Sequence, residues 1–250
     1  MYRAKKLMKI LFSPSETKIA GGTKQTKDNL AYIFPKLYNK RQEVLKLYQS
    51  YIEKESDETL GKLFGLKDIT LFKSVDIFKD PTLKAVERYT GIAYDYILYH
   101  DMDKCEKEFI DKNMIIFSNL FGPILAGHHV PNYKLKQGEK LDSFAIEKFY
   151  KEHFSDSLDE MLENEFTIDL RAGFYLKFYK PKVNHITMKF LKGGKVVSHW
   201  AKAYRGSIAK ELAKFQPENE QEFQKIHFEN LEIKEIIKRK NMNQYIFDIV

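Results

Sequence analysis

Cysteine is almost absent from this chain: Cys105 is the only one in 250 residues. A lone thiol excludes an intrachain disulfide and any multi-cysteine metal site. Arginine is scarce as well, with Arg3, Arg41, Arg88, Arg171, Arg205 and Arg239 the only six among 42 basic residues. Lysine is a flexible point charge suited to phosphate, whereas bidentate base reading favours arginine. A nucleic-acid partner would therefore be met through its backbone. No stretch approaches the ~20 apolar residues that span a bilayer. The run Leu7 to Phe12 is interrupted by Lys9 and too short for a signal segment. The expectation is a cytoplasmic protein that does not engage membranes. Walker loops, dinucleotide fingerprints, nucleophile elbows and HExxH motifs are all missing. That leans away from the common enzyme classes, calls for no cofactor and leaves no catalytic residue assigned.

What is present is a folding composition, 43% hydrophobic and 14% aromatic, on a chain long enough to bury a substantial core. The net charge of +7, from 42 basic against 35 acidic residues, is compatible with a polyanionic partner without requiring one. A first strand is expected over Leu7 to Phe12, ending in the exposed loop Ser13-Pro14-Ser15-Glu16-Thr17-Lys18. Apolar residues at helical spacing run from Asp28 to Lys54, with Pro35 starting or kinking a helix. Ser56 or Asp57 caps the next helix, Gly65-Leu66-Lys67 turns the chain and Asp68 opens another apolar set. This is a helical hairpin with a weak likeness to the phosphate-contacting helix-hairpin-helix. Asp80-Pro81 reads as a helix start carrying Leu83 and Val86. Met114 to Phe117 is a buried strand, Gly122 to His129 a loop, and Asp142 to Asn164 helical. Phe166 to Leu170 is a strand, and Tyr245 to Ile249 is the last. His185 to Leu191 and Lys195 to Trp200 form a hairpin across Gly193-Gly194. These elements predict an α+β fold in a single domain, residues 1–250. It has a mixed, curved β-sheet flanked by many helices and includes the helix-hairpin-helix-like element.

The segment with most chemical content is Ser198 to Gly206, where the hairpin passes into a helix over Ala201 to Phe215. Lys202 and Arg205, three apart, share a face of its first turns. Cations there oppose the helix dipole, so the pair suits an anion; a solvated helix start in a lysine-rich chain is the plainer alternative. His100-Asp101-Met102-Asp103-Lys104-Cys105 holds metal-binding residue types but cannot turn them all on one ion, and reads as a loop and helix cap. The adjacent His128 and His129 are poor joint chelators. Cys105 has Lys104 favouring its thiolate and Asp103, Glu106 and Glu108 opposing it.

Three loops, taken in order, resemble the YaaA-type peroxide stress proteins. Ser13 to Lys18 looks like that family's Ser-Pro-x-Lys-Thr opening. Ser118-Asn119-Leu120-Phe121-Gly122 with Tyr133-Lys134-Leu135 resembles its Ser-Gly-Leu-Tyr-Gly and Tyr-Arg-Leu segment. Ala201-Lys202-Ala203-Tyr204-Arg205-Gly206 is similar to its Ala-Lys-x-Ala-Arg-Gly motif. The chain departs from the pattern in three places. Leu125 to His129 replaces Leu-Arg-Pro-Leu-Asp. Leu170 to Tyr175 keeps Tyr175 but loses a serine and an acidic residue. The first loop's lysine is displaced to Lys18. The resemblance implies a cytosolic protein that protects against hydrogen peroxide and free-iron damage and binds DNA backbone in a basic cleft. The residues implied for DNA or anion binding are Lys18, Lys67, Ser118, Tyr133, Lys134, Tyr175, Lys202 and Arg205, with no metal site and a monomer favoured. The alternatives are an enzyme acting on a phosphorylated small molecule or nucleobase in the same cleft, and direct iron binding through His100, Asp103, His128 or His129.

Overall fold

The computed structural model describes residues 8–23 and 33–250. Leu7 and the start of the expected helix at Asp28 to Leu30 lie outside them. Ten strands are formed among the described residues. They are β1 (Met8–Phe12), β2 (Thr82–Lys84), β3 (Met114–Ser118), β4 (Gly122–Leu125), β5 (His129–Pro131), β6 (Phe166–Asp169), β7 (His185–Lys192), β8 (Lys195–Val196), β9 (Leu231–Arg239) and β10 (Met242–Ile249). The helices are α1 (Tyr38–Lys54), α2 (Asp57–Phe64), α3 (Thr70–Lys73), α4 (Ala85–Arg88), α5 (Ile92–Ile97), α6 (Lys104–Asn113), α7 (Ile146–Leu162), α8 (His199–Phe215) and α9 (Glu220–Phe223). The fold is α+β, as the sequence predicts.

Eight strands make one mixed sheet in the order β4-β3-β1-β6-β7-β10-β9, with β8 hairpinned onto β7. The five inner strands are mutually parallel, and β4 and β9 run antiparallel at the edges. Parallel strands are covered on both faces, which is why Met114-Ile115-Ile116-Phe117-Ser118 is buried at every position. The covering helices show the matching period: α7 buries Ile146, Tyr150, Phe154, Leu158 and Leu162, one residue per turn. In α6, Asp103 accepts the Glu106 N–H while Glu106 returns a bond to the Asp103 N–H, so the expected loop-and-cap is a capping box.

Several expectations are corrected. Asp80-Pro81 does not start a helix. Thr82 to Lys84 pairs antiparallel with His129 to Pro131, and the helix begins at Ala85. The stretch expected to be a loop around Gly122 to His129 contains β4 and the start of β5, because Gly122 (φ 65°) turns β3 directly back on itself. The hairpin strand stops at Val196, and Trp200 lies in α8. The hairpin turn itself is as read: Gly193 and Gly194 sit at φ 56° and 77°, the pair of positive values a two-residue turn needs. β9 was not expected. Its alternation, Leu231-Glu232-Ile233-Lys234, is broken at Glu235 before Ile236-Ile237, and its charges suit an exposed edge strand.

Candidate functional site

The first strand β1 lies between β3 and β6, so the chain leaves it toward one side of the sheet and later returns to build the other. At such a switch point the loops beyond the carboxyl ends of neighbouring strands diverge and leave a crevice. Here the crevice is a cleft of about 420 Å³. Its walls are the 13–17 loop after β1, the Leu170 to Tyr175 segment after β6, the Thr90 to Tyr94 start of α5, and Lys202 and Arg205 of α8.

Arg88 fastens the first of these walls. Its guanidinium is fully buried and donates to the carbonyls of Ile19 (2.5 Å), Gly21 (2.9 Å), Pro81 (3.1 Å) and Val130 (3.2 Å). The Ile19 N–H bonds Arg88 O and the Thr90 N–H bonds Thr17 O, so the loop is laced to the α4–α5 connection as a short ladder. Ser13 Oγ accepts the Ala172 N–H at 2.9 Å, and Tyr94 donates its hydroxyl to Ser13 O, tying three walls at one residue.

Beneath the loop lies a line of hydroxyls. Ser118 Oγ, at the end of β3, accepts the N–H groups of Phe121 (2.9 Å) and Leu120 (3.3 Å). Its own proton is left for Tyr133 at 2.7 Å, and Tyr133 stands 2.8 Å from Tyr89. Burial holds the hydroxyls of Tyr133 and Tyr89 well above the ordinary tyrosine range, so both stay protonated. Tyr175 joins from β6's side, donating to Asn119 Oδ1 at 3.1 Å.

Lys18 rests on this floor. Its Nζ lies 4.1 Å from the Tyr133 ring centre and 5.1 Å from that of Tyr89, and donates to Ser15 O at 3.3 Å. Lys134 reaches the next carbonyl, Glu16 O, at 3.1 Å. Burial brings the Lys18 ammonium down to about 7, and the charges of Lys134 and Arg88 push the same way against Glu16. Lys18 is therefore an amine poised to change protonation near neutrality. The Glu16 carboxylate turns toward the Gln137 N–H, at 3.0 Å.

The opposite wall carries the unused charge. Arg205, half-buried and with its guanidinium 6.0 Å from the Phe190 ring, makes no hydrogen bond among the described residues. Burial lowers its pKa, and Asp169 opposes that. Asp169 itself is committed to Arg171, which donates to it at 2.9 and 2.6 Å and has its guanidinium carbon 4.2 Å from the Phe117 ring centre. Lys202 is exposed on the same wall. The helix carrying both can approach because Gly206 faces α5. A Cβ there would fall inside contact distance of Ala93 O and 2.8 Å from Tyr96 Cβ.

Of the residues singled out from sequence, Lys202, Arg205 and Tyr175 line the cleft, whereas Lys18, Ser118, Tyr133 and Lys134 lie outside its lining, with Lys18 and Lys134 bonded to the Ser15 and Glu16 carbonyls of the loop and Ser118 bonded to Tyr133. Lys67 is not brought to it. The helix–glycine turn–helix exists, with Gly65 at φ 65°, but α3 is a single turn and Asp68 accepts the Thr70 N–H at 2.9 Å. The residues proposed for iron are dispersed into structural roles. Asp103 caps α6, and His128 accepts the Leu125 N–H with its pKa lowered to about 4 by burial. Among the described residues no group of three His, Cys, Asp or Glu can hold a metal ion. Sequence reasoning missed Arg88, Tyr89, Asp169 and Arg171. Arginine scarcity was the available signal: in a lysine-rich chain, Arg41, Arg88 and Arg171 sit where a planar fork must satisfy buried carbonyls or a carboxylate.

Comparison with known proteins gives the chain's family. The family model described as "Peroxide stress protein YaaA" matches residues 8–236. A protein of Campylobacter jejuni described as uncharacterized is 46% identical over 246 residues, covering 97% of this chain and all of the relative. A UPF0246 protein of Corynebacterium glutamicum is 33% identical over 217 residues (82% and 85% of the two chains). One of Streptomyces coelicolor is 28% identical over 215 residues (82% of each). This chain belongs to the YaaA peroxide stress protein family.

Proposed function

We propose that this member of the YaaA peroxide stress family protects against hydrogen peroxide and free-iron damage by binding DNA, with a backbone phosphate seated in the cleft between the 13–17 loop and α8. The observation that carries the reading is Arg205: a half-buried guanidinium on a ligand-sized cleft, with no hydrogen-bonding partner among the described residues. Withdrawing such a group from water without a partner is costly, and a phosphate oxygen pair is the acceptor its planar fork fits. Lys202 beside it adds a mobile charge. Cytoplasmic location and a monomer are part of the same reading; among the described residues no helix is long and apolar enough to cross a membrane.

The test is fluorescence anisotropy of a labelled DNA duplex across a salt series, with Lys202→Ala/Arg205→Ala alongside. Displacement of condensed cations makes binding fall steeply with salt, by a slope of about 0.9 per phosphate neutralised. The double variant should lose about two of those contacts. A flat salt dependence, or binding unaffected in an equally folded double variant, refutes the proposal.

A second reading, an enzyme acting on a phosphorylated small molecule or nucleobase, is favoured by Lys18. An amine brought to about 7 beside a bounded cleft is a general acid or base in waiting, which a purely electrostatic groove does not require. Calorimetric titration with a nucleoside monophosphate separates the two. Saturable binding of the monomer with no retention of duplex DNA favours this reading, and the opposite pattern refutes it.

A further inference from the structure

A phosphate needs only the α8 wall of the cleft, and the rest of the lining is of another kind. At about 420 Å³ the cleft falls within the range, roughly 300–1,000 Å³, of pockets that enclose a small organic ligand. Away from Lys202 and Arg205 its lining is largely apolar: Phe12 at the end of β1, Leu170 just after β6, and Pro14, Ile92, Tyr94 and Ala172. Phe12, Tyr94, Leu170 and Ala172 also pack into the hydrophobic core, whereas Ile92 stands outside it. Ile92 is half-buried at the first position of α5, an aliphatic side chain whose place is the cleft wall. A mostly apolar interior with a few placed polar groups is the make-up of a site that encloses an organic ligand, not of a surface that only meets phosphates.

The facing loop supplies polar groups. Thr17 donates its hydroxyl to Thr90 O at 3.1 Å, so the proton between Thr17 and Ser15, 3.0 Å apart, comes from Ser15. Ser15 Oγ also accepts the Thr17 N–H at 3.2 Å, and its second lone pair is left over. Both residues line the cleft, and Gly91 keeps them uncovered. A Cβ at Gly91 would lie 3.3 Å from Thr17 Oγ1 and 3.5 Å from Ser15 Oγ, and the glycine sits at φ 99°, where other residues are strained.

A guanidinium on one wall, an apolar interior and a hydroxyl acceptor on the facing loop correspond to the three parts of one nucleotide: phosphate, base face and base edge. In a matched duplex the base is stacked and paired and cannot enter a concave site, whereas an unpaired base is free to leave the stack at little cost. We propose that the cleft takes one whole unpaired nucleotide of a DNA strand, its base in the apolar interior beside Ile92 and its phosphate at Arg205 and Lys202. This rests on the phosphate reading of the cleft and adds to it the class of DNA that fits.

The test is anisotropy on the full chain with three labelled DNAs: a matched duplex, the same duplex with one bulged nucleotide, and that bulge made abasic. The abasic form keeps every phosphate and removes only the base. The base-containing bulge should bind about tenfold more tightly than either of the others, the scale on which a single base contributes to single-strand binding. Ile92→Ser should close the gap between the base-containing and abasic bulges, and Lys202→Ala/Arg205→Ala should weaken binding of both. Salt-dependent binding that is equal for the two bulges overturns this proposal and leaves the phosphate reading standing. So does a gap that persists in a folded Ile92→Ser protein. Failure of all three DNAs to bind overturns the phosphate reading and this proposal with it. Competition by a free nucleoside monophosphate as strong as that of the bulged strand overturns DNA as the occupant and assigns the cleft to the free nucleotide.

Discussion

Replacing Gly206 by alanine tests the geometry that builds the cleft. In an ordinary exposed helix the change stabilises by roughly 0.5–1 kcal/mol, because glycine loses more backbone freedom on folding. Here the added methyl would enter the contact shell of Ala93 O and stand 2.8 Å from Tyr96 Cβ. Relaxed carbon contacts need about 3.5–4 Å, so α5 and α8 must part by roughly 1 Å. Neither obstacle is the far end of a flexible side chain. One is backbone and the other a Cβ, so the strain cannot be absorbed by a rotamer change. Overpacking of this kind costs about 1–3 kcal/mol, which outweighs the propensity gain and leaves a net loss of about 1–2 kcal/mol. The displaced α5 carries Gly91 to Tyr94, one wall of the cleft, so ligand affinity should fall along with stability. Equilibrium guanidinium unfolding and DNA anisotropy on the same preparations read both effects. An alanine variant that is as stable as the parent, with unchanged binding, would refute the argument that helix approach at Gly206 sets the cleft.

Three other outcomes are expected. Lys18 is held near 7 in the folded protein against an ordinary 10.5. Between those values the unfolded chain binds the extra proton, so this residue makes the fold more stable as pH rises and loses that contribution as pH falls through 7. Lys18→Met should flatten the rise in unfolding free energy from pH 7 to 10 by ~1–2 kcal/mol, less than the full shift because the ammonium is partly exposed; an unchanged slope contradicts the assignment. Asp169→Asn leaves Arg171 buried without its carboxylate and should cost about 3–5 kcal/mol in chemical denaturation, whereas a loss under ~1 kcal/mol would show the pair to be dispensable. Asp103→Ala removes the capping box of α6 and should cost ~0.5–2 kcal/mol, measured by the same unfolding curve, with Asp103→Asn retaining most of the stability.

Local signals fix much of this molecule. The apolar runs of β1, β3 and β6, the one-per-turn stripe of α7, the Asp103 cap and the Gly193-Gly194 turn are each written in a few neighbouring residues, because period, capping and positive φ are properties of short segments. Spacing marked the Lys202/Arg205 pair, and the resemblance to the YaaA family joined it to the 13–18 loop, Ser118 and Tyr133. What the sequence could not carry is which strand lies beside which. β2 and β5 are too short to announce themselves and exist because they pair across 45 to 49 residues, Thr82 with Pro131 and Lys84 with His129. The charged β9 is a strand only because β10 supplies its hydrogen bonds. The cleft is tertiary in the same sense. Placing β1 between β3 and β6 brings residues 13–18, 88–94, 118, 133–134, 170–175 and 202–206 to one edge of the sheet. That convergence withdraws Lys18 from water and sets Lys134 and Arg88 around it. The residue types come from the sequence; the altered basicity of Lys18 and the half-burial of an Arg205 guanidinium that has no hydrogen-bond partner among the described residues come from packing between segments far apart in the chain.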